Sequence, residues 1–499
     1  MLKVKVSLAS TAEYSSTAAE SIKDLNPNAA DILITSVITS MVTDLGVVSP
    51  TASGLLSYYD GQKNSKHTID GYFVAPKSFN GNDHEEHRIS MTYGGHVETC
   101  KGGNTFAVPG IYKILELVYE RYASLPLDKL LEYPIKIAKD GFKLTQPTKD
   151  YFIHSLEPLF MWHEYSKDIL NNVYKDLDNG IIKLDKLSDT YSYISSVGFN
   201  DFYNGDISKS ILQTVEQEGG HATAGDFNNY DLIEDSKFNY QFNDLKLTGH
   251  AGPSIGGLMV LKYLEGLSIK SDNKAEILKN VYLDRQQNYE FFGERKEFIN
   301  NEINKISKSS STIQVNTSDE ANNHFSITFS SGYGSGVLCK NTGMYFNNSL
   351  GEVELNPQGF LGDTKGDRLI SNMSPLIIET NDGINTIGSP GANRISSAIA
   401  QVLLNYSKSN NWKQSIDEPR FHVNEDGSIR AEPGSLEIDK DVIITEEYDM
   451  YFGGVCVSGL NKSVFSFGDK RISSAEDFGS VSGKKLRLSW YFFNDFTSI

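Results

Sequence analysis

The chain reads as an α+β protein, and three observations carry that reading. Residues 309–338 alternate apolar and polar side chains on either side of a turn-prone SDEANN, with Phe325, Ile327 and Phe329 on one face. That is the period and turn chemistry of a β-hairpin. Residues 374–389, SPLIIETNDGINTIGS, repeat the pattern around Asp382-Gly383 and predict a second hairpin. The helical signal is equally plain: Pro109 and Gly110 open an amphipathic stretch that Pro126 breaks, and a second runs on to Gly141, a natural C-terminal cap.

The remaining elements follow in order. Ser15 to Thr17 can cap a short helix in STAAESIKDL, and Asp31 starts DILITSVITSMVTDL, stopped by Gly46 and Pro50. TASGLLSYYDGQKNSKHTIDGYFVAP supplies two strands joined by a polar turn. Residues 150–218 are helical and aromatic, and residues 219–232 form a loop. Strand LKLTG and helix IGGLMVLKYLEGL flank Gly252-Pro253-Ser254-Ile255-Gly256, which matches the G-x-S-x-G nucleophile elbow of α/β-hydrolases. No alternating β/α series surrounds it, which favours a tight glycine turn. Residues 268–304 are helical and charged, a solvated connector in which a processing junction can sit. Gly332, Gly334 and Gly336 close the first hairpin with a loop whose backbone can approach a ligand. Pro390-Gly391-Ala392-Asn393 leads into helix RISSAIAQVLLNYSKS; free N–H groups there suit an oxyanion, or simply a strand-to-helix turn.

Composition narrows the function. A net charge of −18 over 499 residues argues against nucleic acid and against anionic membrane surfaces. Hydrophobic content of 39% with 22% charged residues is that of a soluble globular protein. Cys100, Cys339 and Cys456 are odd in number and widely spaced, so neither a disulfide framework nor a metal-binding spacing follows. The pair His84 and His87 in HEEH falls in a polar, turn-rich stretch with no third ligand and reads as a solvated loop. No metal and no organic cofactor is expected. MLKVKVSLAS lacks a signal-peptide core, and residues 29–50, which include Asp31 and Asp44, read as a buried helix. The expected location is cytoplasmic.

A family comes into view once these pieces are set side by side. GVVSPTASGLLSYYD (Gly46 to Asp60), AVPGIYKILELVYERYASLPLDKLLEYPIKIAKDGF, GGHATAGDFNNY, GPSIGG, YLDR (Tyr282 to Arg285), SNMSP (Ser371 to Pro375), GSPGANRI (Gly388 to Ile395) and EPRFH (Glu418 to His422) resemble the motifs of the gamma-glutamyltranspeptidase family of N-terminal-nucleophile hydrolases, in that family's order. The resemblance implies an αββα sandwich of two antiparallel sheets between helical layers. It implies a chain that cuts itself into a large segment, 1–309, and a small one, 310–499, which form one intertwined catalytic unit, a heterodimer of its own two fragments. It further implies that the new N-terminal hydroxyl attacks a γ-glutamyl or related acyl amide such as glutathione, with its own α-amine as base, and that the acyl group passes to water or an amine.

Carried over residue by residue, the resemblance places Ser310 at the nucleophile, counting back without gaps from Gly334, with Ser311 and Thr312 open within the same hydroxyl run. Aligning NNHFSI instead would put Asn322 there, at the cost of the first strand. Gly391 and Ala392 take the place of the family's oxyanion glycines. Ser371 and Asn372 stand for its serine pair, Glu352 for the acid that receives the substrate α-amine, and Ser330 and Ser349 for two polar contacts. Tyr72 replaces the arginine that grips the substrate carboxylate; one neutral hydrogen bond stands where a charged bidentate pair would. Two functions are therefore expected in competition: an amide hydrolase or acyltransferase of this family, and an unprocessed member acting as a binding or structural protein.

Overall fold

Alternation across the central stretch is realised as two strands, Ile313–Asp319 and His324–Ser330, paired antiparallel with Ile313 opposite Phe329. Asp319 closes their turn: its N–H donates to the Asn323 carbonyl at 3.0 Å, and its carboxylate accepts the Asn323 N–H at 3.0 Å. The structure is a computed structural model, which describes residues 5–78, 87–91, 97–268, 274–285, 312–352, 356, 366–424, 427–436, 442–472 and 474–478. Ser310, Ser311 and His84 lie outside the described residues.

Numbered along the chain, the strands of the two large sheets are β1 (Val6–Ser10), β2 (Ser53–Asp60), β3 (Ser65–Gly71), β4 (Ile233–Glu234), β5 (Lys237–Phe242), β6 (Leu245–His250), β7 (Ile313–Asp319), β8 (His324–Ser330), β9 (Leu376–Thr380), β10 (Gly383–Gly388), β11 (Cys456–Leu460), β12 (Val464–Phe467) and β13 (Ser474–Phe478). One sheet runs β13-β1-β7-β8-β2-β3-β4 and the other β12-β11-β10-β9-β6-β5. Every pairing within them is antiparallel. Both sheets draw strands from before and after residue 310 in the sequence.

Each sheet buries its apolar face under helices. Val315, Phe325, Ile327 and Phe329 pack with Ile34, Ile38 and Met41 of α2 (Ala29–Thr43) and, beyond it, with residues of α3 (Ile111–Tyr122) and α4 (Leu127–Asp140). On the far side Leu247, Leu376, Ile378 and Ile387 pack with α5 (Gly256–Ser268) and α6 (Ile395–Ser409). The order is helices, sheet, sheet, helices, an α+β sandwich. Because α2 is overlaid by other helices, it is buried along its whole length, and its apolar residues therefore run all round it rather than in one stripe.

Where β7 faces the second sheet, the surface between the sheets is polar, while Tyr59, Ile377 and Ile384 form a small apolar cluster elsewhere between them. Period-two alternation puts Gln314, Asn316 and Ser318 opposite Val315 and Thr317 on β7. Asn316 Nδ2 donates to the Cys456 carbonyl at 2.6 Å, Ser326 Oγ to the Ile387 carbonyl at 3.2 Å, and the Ser318 and Ser458 hydroxyls meet at 2.9 Å. Hydrogen bonds of this kind offset the desolvation of buried polar groups.

Several boundaries differ from the sequence expectation. α2 begins at Ala29, two residues before Asp31, because Asn28 is the cap and Asp31 closes a capping box with it. Asp31 also accepts the Ser124 and Leu125 N–H groups at 2.9 and 3.1 Å. Residues 219–232 are not all loop: Thr223 and Asp226 cap a short helix, Ala224–Asn228. In the second hairpin Thr380 pairs with Gly383, so Asn381-Asp382 make the turn and Gly383, at φ +148°, starts the returning strand.

Candidate active site

Thr312 immediately precedes β7, and it is 8% exposed. Two and four residues on, Gln314 and Asn316 face the second sheet. A Cβ on Gly388 would stand 2.3 Å from Gln314 Cδ, so glycine is what lets that amide lie against β10. The contacts progress from Ser318, whose hydroxyl reaches Ser458, through Asn316 at Cys456, to Gln314 at Gly388. The N-terminal end of β7 is thus directed past the C-terminal end of β10, toward Ser389 to Ala392.

At that end the chain turns sharply. Gly391 has φ +133° and Ala392 has φ +49°, and the 3₁₀ turn Ala392–Arg394 leads into α6. Among the described residues neither the Gly391 nor the Ala392 N–H has a hydrogen-bond acceptor, as expected for the orphan donors at a helix start. Ala392 keeps a left-handed backbone that an alanine adopts at a cost of about 1–2 kcal/mol. Strain of this size persists where the surroundings enforce it, and the enforcing structure is visible. Arg394 Nε donates to the Tyr451 carbonyl at 2.9 Å and Arg420 Nη1 to the Phe452 carbonyl at 3.2 Å. Gly453 Cα then lies 3.4 Å from the position of a Cβ on Gly391. Arg420 pairs with Asp469 at 2.7 Å, Asp469 with Arg471 at 3.0 Å, and Arg471 with Glu432, all buried. Burial alone would raise the Asp469 carboxyl, but the two guanidiniums hold it below its ordinary range.

The other expected positions gather on a second set of loops. Ser330 Oγ accepts the Gly332 N–H at 3.0 Å. A Cβ on Gly332 would stand 1.7 Å from Glu352 Oε1 and 2.3 Å from Asn348 Oδ1. The glycines of this loop, at φ +69°, +77° and +79°, therefore approach other parts of the protein itself: Gly332 meets the Glu352 side chain, and Gly336 meets the Leu159 backbone carbonyl. Asn348 fixes the arrangement by accepting the Tyr333 N–H at 2.8 Å and donating to Thr99 Oγ1 at 2.9 Å. Ser349 is fully buried, and its carbonyl accepts from Asn356 Nδ2 at 2.7 Å.

Ser371 and Asn372 are held by the segment that resembles a nucleophile elbow. The Ser371 carbonyl accepts from Ser254 Oγ at 3.0 Å, Ile255 N–H at 3.0 Å and Gly256 N–H at 3.2 Å. Ser254 Oγ also reaches the Met373 carbonyl at 3.2 Å, so this hydroxyl is a brace between two carbonyls. A Cβ on Gly256 would lie 2.2 Å from the Asn372 carbonyl oxygen. Ser396, in the first turn of α6, donates to the Gly256 carbonyl at 3.0 Å, which ties the Gly391-Ala392 turn to this cradle. Tyr72 is 2% exposed and sits in one apolar cluster with Phe73, Leu350, Leu369 and Met373. Leu350 and Met373 of that cluster are the chain neighbours of Ser349 and Asn372.

The inner polar face of β7, the Asn347-Asn348 pair and the arginine–carboxylate lattice were not anticipated from sequence. The first had a legible signal, since Gln314, Asn316 and Ser318 occupy alternate positions in a strand whose other face is apolar.

The comparisons with known proteins agree with this architecture. The family described as Gamma-glutamyltranspeptidase matches residues 15–289 and 272–446. The glutathione hydrolase proenzyme of Bacillus subtilis (strain 168) is 24% identical over 475 residues, covering 83% of this chain and 80% of its own. Scoloptoxin SSD14 of Scolopendra dehaani is 23% identical over 448 residues, covering 76% and 75%. The crystal structure of cephalosporin acylase from Bacillus halodurans superposes with a TM-score of 0.75 at 17% identity, over 95% of this chain and 96% of that one, and shares its fold. With the matched residues spanning most of the chain in the order of the motifs, and the same sandwich built from them, the protein belongs to the gamma-glutamyltranspeptidase family.

Proposed function

We propose that the chain cuts itself before Thr312 and then works as an amide hydrolase or acyltransferase on γ-glutamyl or related acyl amides, glutathione being the reference compound. The observation that carries the reading is the run of contacts along the inner face of β7 to Gln314 at Gly388, three residues before Gly391, whose N–H and that of Ala392 have no acceptor among the described residues. Thr312 is preferred to Ser310 because it stands immediately before β7 and, by period-two alternation, on the face of Gln314 and Asn316.

In this reading the Thr312 hydroxyl first attacks the carbonyl of residue 311. The peptide link becomes an ester, and water cleaves the ester to leave Thr312 with a free α-amine. The amine then takes the proton of its own hydroxyl as Oγ1 attacks the substrate carbonyl. Gly391 and Ala392 N–H groups receive the developing oxyanion. The departing amine leaves with the proton, and the acyl ester passes to water or to an acceptor amine. Glu352, carried into place by Gly332, would take the substrate α-amine.

The test uses the purified full chain. Processing should give fragments 1–311 and 312–499, Thr312→Ala should stay intact, and Ser254→Ala should process normally. Processed protein should release the chromophore from an acyl anilide. An intact, inactive wild-type chain would leave the binding-protein reading in its place.

A further inference from the structure

We infer that the acyl pocket takes a neutral, hydrogen-bonding end group, a carboxamide or peptide amide, where a γ-glutamyl substrate carries its α-carboxylate. This rests on the family reading of the site and narrows its substrate class. Two observations carry it. Asn372 Oδ1 and Ser349 Oγ are buried, on residues 6% and 0% exposed, and have no hydrogen-bond partner among the described residues. Both residues adjoin members of the cluster that holds Tyr72. Buried polar atoms are ordinarily satisfied, and an acceptor and a hydroxyl donor in one substrate site, where the family resemblance puts both residues, are together the complement of a carboxamide: its N–H would meet Asn372 Oδ1 and its C=O the Ser349 hydroxyl.

Charge points the same way. Of Tyr72, Ser349, Glu352, Ser371 and Asn372, none is cationic and one is an acid. The guanidinium tied to the Tyr72 backbone, that of Arg368, is committed elsewhere. Its Nη1 donates to the Tyr72 carbonyl and Tyr230 Oη at 2.5 Å each, its Nη2 donates to the Asp231 carbonyl at 2.6 Å, and its Nε lies 3.6 Å from Asp70. Turning the Asn372 amide over would offer an N–H to a carboxylate but no positive charge from these five residues, and an unpaired buried charge is strongly disfavoured.

Ligand binding tests this without requiring turnover. Thermal melts of the purified full chain with L-isoglutamine, the α-carboxamide, and with L-glutamate should show a rise in Tm for the first compound only. Asn372→Ala should abolish the rise. Tyr72→Arg should restore binding of L-glutamate, with at least a tenfold change in the ratio of the two Kd values. A larger shift with L-glutamate, or no shift with either compound, overturns the inference whether or not the chain processes itself. The family reading falls separately, on a chain that neither cuts itself nor turns over any acyl anilide.

Discussion

Ala392 carries the tension of the site in a single backbone angle. At φ +49° it does what glycine does without cost, and the surrounding lattice of Arg394, Arg420 and Asp469 keeps it there. Ala392→Gly should therefore raise the unfolding free energy by about 1 kcal/mol, read from chemical denaturation, with processing intact; a loss of stability would mean the left-handed turn is not strained. Gly256→Ala makes the opposite point. Its methyl group would collide with the Asn372 carbonyl oxygen, and small displacements of positioning groups are expensive in rate. Its kcat/KM should fall roughly tenfold or more in steady-state assays, while the protein still folds.

At the scale of elements, the capping box that starts α2 anchors a helix buried on all sides and, through Asp31, the Ser124-Leu125 turn. Asn28→Ala should cost about 1 kcal/mol, measurable as a lower denaturation midpoint at unchanged slope. Elements with local punctuation were legible in the sequence: the Pro126 break, the Gly141 cap and the strands of both hairpins lie where alternation puts them, with the second turn one residue earlier than its Asp382-Gly383 pair suggests. What shifted was settled by side chains at one remove, as when Asn28 rather than Asp31 became the cap. The site was legible only in part. A strand with Gln314, Asn316 and Ser318 on one face looks solvent-exposed until a second sheet covers it. Likewise the Ser254 motif reads as catalytic until its hydroxyl is found between the Ser371 and Met373 carbonyls. Such meanings depend on residues more than a hundred positions apart, which no local pattern carries.

Over the whole molecule, burial sets the pH response. His250 and His324 are pushed down to about 3 by desolvation. The unfolded chain therefore binds protons below about 6.5 that the folded chain refuses, and their contribution to stability is lost as pH falls from about 6.5 toward 3. Asp44 acts in reverse: burial pushes it up to about 7, so the fold keeps a proton that the unfolded chain sheds above about 3.8, and stability falls as pH rises from there to about 7. Asp44→Asn removes that second effect alone. The Tm difference between variant and wild type should grow in the variant's favour from pH 4 to pH 7, and a constant difference would contradict the assignment. Among the described residues no helix is long and apolar enough to cross a membrane.

Strands from both sides of the proposed cut pair with each other in each sheet, with β1 between β7 and β13 in one and β6 against β9 in the other. The two pieces of a cleaved chain should therefore stay together in native buffer and part only in denaturant. Mass spectrometry of the denatured, purified protein tests the central claim most directly. Two species are expected, residues 1–311 and residues 312–499 with threonine at the new N-terminus. A single species of 499 residues, or a new terminus at any residue other than Thr312, would contradict it.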